Sequence, residues 1–298
     1  MRAHGNPQGD SLARELALAA ILDPLAVPGL RDSELDLTLR VLRRMRLLGR
    51  LASQLSEHGL VESLPPVARD QLRSAIALAE ARSRLLDWEL QQISRCLGPR
   101  DDDPVVALKG AAYLMLDLPN ARGRLPSDVD LLVPERSLRA REQRLREGGW
   151  QAVELTPYDE RYYREWTHEI PPMRHPEREM EVDLHHNILQ RTARLRPEAA
   201  RLLARVRPAR HGLMVLSPVD MVLHAMTHLF ASSEPEDSMR ELVDIASLLR
   251  HFEQREPGFW DDFSPRAREL DLALPAFYAL RYGQRLLQLQ VPAQVIAL

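Results

Sequence analysis

The sequence predicts an α+β fold: a small mixed β-sheet with helices on one side, set between helical N- and C-terminal regions. Three observations predict it. Apolar residues recur at helical spacing through the first hundred residues and again from about Leu195 onward. Between these regions the pattern switches to short apolar runs and two-residue alternation bounded by Gly, Pro and Asp, as strands require. The composition is that of an ordinary globular chain, with 298 residues, 45% hydrophobic and 28% charged. That length suits one large domain or two ordinary ones.

The elements follow in order. "SELDLTLRVLRRMRLLGRLASQL" is periodic at helical spacing and ends near "EHGL", where Gly59 suits a C-cap. Pro65 and Pro66 open a second helix, with Leu72, Ile76, Ala79, Leu86, Leu90, Ile93 and Leu97 on one face. "VVALKG" contains a short buried strand, "AAYLMLDL" is a short helix, "NARGRLPS" a loop, and "DVDLLVP" a strand closed by Pro134. "SLRAREQRLREGG" is an amphipathic helix with a double-glycine stop, and "WQAVEL" another strand. A loop carrying Tyr158, Tyr162, Tyr163 and Trp166 follows; its aromatics read as loop anchors, or as a stacking platform for a base or acceptor. "HEIPPMRHPEREMEVDLHH" reads as a hairpin turning near His175–Glu177, with prolines weakening its first arm. In "SPVDMVLHAMTHLFA", Ser217 is an N-cap with Asp220 three residues on. "DSMRELVDIASLLRHF" and two more helices complete the chain. The expected division is a helical region over 1–98, an α/β core over 99–192 and a helical region over 193–298.

Charge and cysteine content exclude several classes. The net charge of −3 argues against a general DNA-binding surface. The single cysteine, Cys96, rules out an intrachain disulfide and suits a reducing compartment. "MRAHGNPQGD" lacks the apolar core of a signal peptide, and no apolar run is long enough for a membrane span. The expected location is cytoplasmic, with no membrane partner. Of the forty basic residues, Lys109 is the one lysine. Its retention in an arginine-rich chain is either chance or chemistry, because a compact ammonium and a planar guanidinium differ in hydration and geometry.

The chemistry gathers on two strands. In "SDVDLLV", alternation puts Asp128 and Asp130 on one face and Val129 and Leu131 on the other. Carboxylates this close repel unless a cation or proton intervenes. A hard divalent cation is the natural partner; a solvated strand end is the plainer reading. In "MEVDLHH", Glu181, Asp183 and His185 share one face, with Val182 and Leu184 opposite. Side by side, two such strands pool three carboxylates, able to hold two metal ions about 4 Å apart for an in-line phosphoryl displacement. Ordinary alternation explains the spacing but not the choice of acids on both strands. His224 and His228, one turn apart in an apolar helix, read as structural histidines rather than a metal pair. Arg240 and Asp244 read as an intrahelical pair.

Taken together, "LKGAAYL", "RGRLPSDVDLLV" and "MEVDLHHNIL", with "VDIASLL", resemble the polymerase-β-like nucleotidyltransferase superfamily. Within it they resemble the bacterial family described as uncharacterised nucleotidyltransferases, from about Leu35 to about Phe252. The resemblance implies Asp128, Asp130 and Asp183 as catalytic metal ligands, Asp183 also being the candidate general base. It implies that Gly110 begins a helix whose N–H groups cradle a triphosphate. Here Lys109-Gly110-Ala111 replaces the Gly-Ser of many relatives, so a hydroxyl is lost. Phosphate binding then falls to backbone amides and Lys109, with Ser127 as a substitute hydroxyl and Arg122 and Arg124 as clamps. The implied cofactor is Mg²⁺ or Mn²⁺, and the implied substrate an NTP, with ATP expected. The implied reaction moves an NMP to an unidentified acceptor (a small molecule, peptide, protein or RNA end) and releases pyrophosphate. Two alternatives remain: a non-catalytic nucleotide-binding or scaffold protein retaining the fold, and a metal-dependent hydrolase.

Overall fold

A computed structural model describes residues 7–98, 103–231 and 237–296. The first six residues of the N-terminal stretch, and residues 99–102 at the first expected boundary, lie outside the described residues.

The chain begins with four helices: α1 (Pro7–Leu22), α2 (Asp32–Arg44), α3 (Leu48–Glu57) and α4 (Pro66–Leu97). The periodic stretch read as helical forms two helices, α2 and α3, separated where Arg46 takes a left-handed φ of 55°. Leu47 and Leu48 on the far side of the break remain buried, so the apolar period survives a change of axis that it cannot report. Gly59 has a φ of 68° just beyond α3, as a C-cap position requires. Pro66 occupies the first turn of α4. The last carbonyl of α4, that of Leu97, accepts a hydrogen bond from Arg141 at 2.6 Å, answering one of the orphan groups every helix end leaves.

Next come β1 (Val106–Ala107), α5 (Lys109–Met115), β2 (Asp128–Leu132), α6 (Leu138–Glu147), β3 (Gln151–Ala152), α7 (Pro157–Trp166), β4 (Met173–Arg174) and β5 (Glu181–His185). After them lie α8 (Ala199–Leu203), β6 (Arg207–Pro208) and β7 (Met214–Val215). One mixed sheet runs in the order β3-β4-β5-β2-β1-β7-β6. The expected hairpin is present, with Met173 paired antiparallel to Val182.

Two local expectations change. The tyrosine-rich stretch is helix α7, because Thr156 caps it by accepting the Asp159 N–H at 3.1 Å and Pro157 pre-sets its first turn. The chain beyond 192 is not wholly helical either: β7 pairs parallel with β1, so the sheet takes strands from both sides of that boundary. Arg207 and Pro208 of β6 carry no apolar signal, whereas β7 lies in the apolar run 213–216, as short as the run read as β1.

The helices from Pro218 onward are α9 (Pro218–Ala231), α10 (Ser238–Arg255), α11 (Phe259–Glu269), α12 (Ala273–Leu287) and α13 (Ala293–Ile296), among the described residues one more than expected beyond Ser217. Helix α9 packs against α10, α11 and α12, and α12 also meets α1. A continuous apolar core joins the sheet to both helical regions, from Ala17 to Val295. Ser217 caps α9 by accepting the Asp220 N–H at 3.4 Å. The Asp220 carboxylate does not reach back to close a capping box; it pairs with Arg266 instead. Among the described residues, no helix is long and apolar enough to cross a membrane.

Gly123 lies at a φ of 74°, and a Cβ on it would stand 2.2 Å from the Gly49 backbone. A Cβ on Gly49 would likewise stand 2.2 Å from the Gly123 carbonyl oxygen. This contact seats the loop before β2 on α3. Gly123→Ala is expected to cost about 2–4 kcal/mol, from backbone strain plus overpacking, measured as a lowered urea midpoint. An unchanged midpoint would show that the loop yields freely.

Candidate active site

Strands β2 and β5 are parallel neighbours, with Asp128 opposite Glu181, Asp130 opposite Asp183 and Leu132 opposite His185. The interleaved Val129, Leu131, Val182 and Leu184 are completely buried on the other face. Slipping either strand by one residue would drive acids into that core, so burial locks the register that juxtaposes the carboxylates. One oxygen from each of Asp128, Asp130 and Asp183 lies within 4.8 Å of the other two. Glu181, also on the acid face, turns to Arg174 instead.

The three acids differ in electrostatics. Burial, reinforced by the charge of Asp130, pushes Asp183 up to about 7. The same two causes raise Asp128. Burial also works against the Asp130 charge, but Lys109 and His185 outweigh it and hold Asp130 well below the usual carboxylate range. Lys109 Nζ lies 2.9 Å from Asp130 Oδ1, and His185 Nε2 lies 3.0 Å from the same oxygen. Through its other ring nitrogen His185 meets Glu169 Oε2 at 3.1 Å. Asp183 Oδ1 is buried without a hydrogen-bond partner.

Lys109 joins β1 to α5 with a left-handed φ of 44°, uncommon for a residue with a side chain and costing about 1–2 kcal/mol. The turn sets its ammonium where two clefts meet. One, of about 180 Å³, is lined by Arg46, Gly110, Arg124, Ser127, Asp128 and Arg240. The other, of about 410 Å³, is lined by His168, Glu169, Asp183, Asn187, Gln190 and His224. Lys109, Asp130 and His228 border both. A larger cavity of about 700 Å³ opens past the C-terminal ends of β2 and β5, lined by Pro134, His186 and Arg191. It contains none of the three acids.

The residues expected to hold phosphate are divided. Lys109, Gly110, Arg124 and Ser127 line the smaller cleft. Arg124 pairs with Asp244 of α10 and lies 5.4 Å from the Tyr113 ring centroid. Ser127 Oγ is 3.3 Å from Asp128 Oδ1. Arg122 points elsewhere: it pairs with Glu57 of α3 at 2.8 Å, its side chain 54% exposed, and lines neither cleft. The aromatics of α7 line neither cleft as well. Arg240 and Asp244 form the expected pair at 3.5 Å. The His224 and His228 rings meet edge to face, 6.5 Å apart. Among the described residues neither joins a group of three potential ligands.

Sequence reading missed Arg46, His168 and Glu169. Arg46 sits at the break between α2 and α3, which the unbroken apolar period hides. His168 and Glu169 lie on an irregular arm tied to β5 by the isolated bridge Glu169↔His185. Neither has a spacing signal that local sequence could reveal.

Fold and site define a class: α+β proteins with an acidic centre on two adjacent central strands, beside an arginine-lined cleft. The sequence narrows that class, because the family described as uncharacterised nucleotidyltransferase matches residues 31–288. The chain belongs to that family. Membership supports a nucleotidyl-transfer role with a nucleoside triphosphate as substrate, and the acid cluster is compatible with a divalent metal. Among solved structures, the crystal structure of JHP933 from Helicobacter pylori is similar over 71% of this chain and 78% of that chain, at 13% identity and a TM-score of 0.39. No curated protein matches.

Proposed function

We propose that the protein is a Mg²⁺- or Mn²⁺-dependent nucleotidyltransferase that moves an NMP from an NTP, with ATP the expected one, to an acceptor hydroxyl and releases pyrophosphate. One observation carries this reading: Asp128, Asp130 and Asp183 converge within 4.8 Å, with Asp183 Oδ1 buried and unpartnered. An all-oxygen donor set of this kind suits a hard divalent cation. When bound, such a cation neutralises charge developing on the transferring phosphoryl group and the leaving oxygen.

The chain's own residues divide the remaining work between the two clefts. The triphosphate lies on the arginine-lined side, against Lys109, the N–H of Gly110, Arg124 and Ser127. The acceptor enters from the side of Asp183. Asp183 takes the acceptor's hydroxyl proton, and the freed oxygen forms a bond to the α-phosphorus. The bond from that phosphorus to the bridging oxygen breaks, and pyrophosphate leaves with the electron pair. A bound cation would keep the Asp183 carboxylate ionised, as an acceptor of that proton must be.

The test is incubation with each α-labelled NTP, Mg²⁺ or Mn²⁺ and candidate acceptors. Label transfer with pyrophosphate release, abolished by Asp128→Ala, is the expected result. Free NMP without an acceptor would favour the hydrolase. Nucleotide binding without pyrophosphate would favour a non-catalytic protein, and nucleotide affinity indifferent to Asp128→Ala would sink the metal–nucleotide reading.

Lys109 permits a sharper test. A guanidinium is larger than the ammonium held 2.9 Å from Asp130 Oδ1, and is planar and differently hydrated. Lys109→Arg is therefore expected to lower kcat/KM for the NTP by about 10–100-fold, equivalent to about 1.4–2.8 kcal/mol, with the melting temperature preserved. Unchanged turnover and affinity would make the lone lysine an accident of composition.

A further inference from the structure

A second group of ligating side chains converges beside the three acids: His168, Glu169 and His185, with one donor atom of each within 4.8 Å of the other two. We propose that this is a separate binding site for a borderline transition cation such as Zn²⁺. It does not depend on the nucleotidyl-transfer reading.

The scaffold is firm although one arm is irregular. Ile170 N–H donates to the Leu184 carbonyl at 3.1 Å, and His186 N–H to the His168 carbonyl at 2.8 Å. These bonds flank the Glu169↔His185 bridge and pin all three ligands to one another through the backbone. His185 Nδ1 and Glu169 Oε2 are 3.1 Å apart, close to the edge of about 3.3–3.5 Å in a tetrahedral zinc set with bonds of about 2.0–2.2 Å. The His168 ring stacks on that of His185, with centroids 5.2 Å apart. His168 Nδ1 is buried with no hydrogen-bond partner, a condition native structures rarely leave unanswered.

The fourth feature lies behind the ligands. With Nδ1 of His185 on the cation, its Nε2–H donates to Asp130 Oδ1 at 3.0 Å. That is the carboxylate–imidazole–metal arrangement that fixes tautomer and ring orientation. The 410 Å³ cleft borders the same three residues and leaves a coordination position open to water or a ligand. Donor chemistry separates the two sites: two imidazoles and a carboxylate select Zn²⁺ or Co²⁺, whereas three carboxylates select Mg²⁺ or Mn²⁺.

The test uses the full, untagged chain, stripped with chelator and titrated with Co²⁺ in excess Mg²⁺, reading visible absorption. One equivalent of Co²⁺ with nitrogen–oxygen ligand-field bands, displaced by Zn²⁺, is expected. It should persist in Asp128→Asn, and its affinity should fall about 10–100-fold or more in His168→Ala and in the isosteric Glu169→Gln. Circular dichroism of Glu169→Gln guards against misreading a folding defect. Three outcomes would overturn the proposal: no bound equivalent, displacement by Mg²⁺, or a Co²⁺ spectrum indifferent to both His168→Ala and Glu169→Gln. In each of these cases His185 is simply a hydrogen-bonded link between Glu169 and Asp130. Loss of nucleotidyl transfer in Asp128→Ala bears on the other site alone, so the two readings fail separately.

Discussion

Asp183→Asn is expected to lower kcat for nucleotidyl transfer by about 10²–10⁴-fold, the range for removal of a positioned general base. The same substitution should stabilise the metal-free protein above neutral pH. Burial and Asp130 push the Asp183 carboxyl up to about 7, so the folded protein holds this proton more tightly than the unfolded chain does. A group with a raised folded value contributes stability fully present below its unfolded value, near 4, and lost as pH rises through about 7. Above that point a buried charge is maintained at a cost, and the neutral amide of the same shape removes it. The gain at pH 8 should be about 1–3 kcal/mol. Urea unfolding of both proteins in chelator, from pH 4 to pH 8, provides the check. The curves should nearly coincide at pH 4 and separate by pH 8. Parallel curves would mean that Asp183 is not the proton-sensitive group.

Arg266→Leu is expected to destabilise the protein by about 3–5 kcal/mol, the cost of leaving a buried charge uncompensated. Asp220 is 0% exposed and Arg266 2%. They form a two-pronged pair at 2.7 and 2.8 Å, and the same guanidinium donates to the Arg201 carbonyl at 2.8 Å. The pair bolts α11 to the start of α9, the helix that carries His224 and His228 to the cleft wall. The double variant Asp220→Leu with Arg266→Leu should recover much of the loss, because an apolar pair of similar volume carries no stranded charge. Urea denaturation of the two single variants and the double variant measures the coupling. If Arg266→Leu unfolds at the wild-type midpoint, the carboxylate has found another partner.

The acid face was legible because β2 and β5 are the longest strands, five residues each. Over that length alternation of buried Val and Leu with Asp is unmistakable. Helix α4 was legible for the same reason at a period of 3.6. Strand β6, an Arg and a Pro, carries no apolar signal, the short apolar run holding β7 is masked by the helical patterns around it, and the break at Arg46 leaves the apolar pattern intact. Arg122 and Arg124 show a finer limit. Gly123, between them, takes a left-handed φ of 74° and reverses the chain, so that one arginine faces Glu57 on α3 and the other Asp244 on α10. Sequence proximity could not distinguish them, because the choice is made by where the glycine seats on α3. His168 and Glu169 were hidden for a different reason: they lie outside the named strands, and their partner His185 arrives from β5.

Lys109 also marks a single point of cleavage. A protease that cuts only after lysine has one target in this chain, the peptide bond from Lys109 to Gly110. That bond lies at the junction of β1 and α5, where the Lys109 side chain is 22% exposed and tied to Asp130. Scission there requires local opening of the acidic centre. It divides the polypeptide cleanly, because Asp128, Asp130 and Asp183 all follow the cut. Limited digestion thus reads the opening of this centre as the appearance of two bands on a gel, and any ligand that closes the centre lengthens the life of the uncut chain.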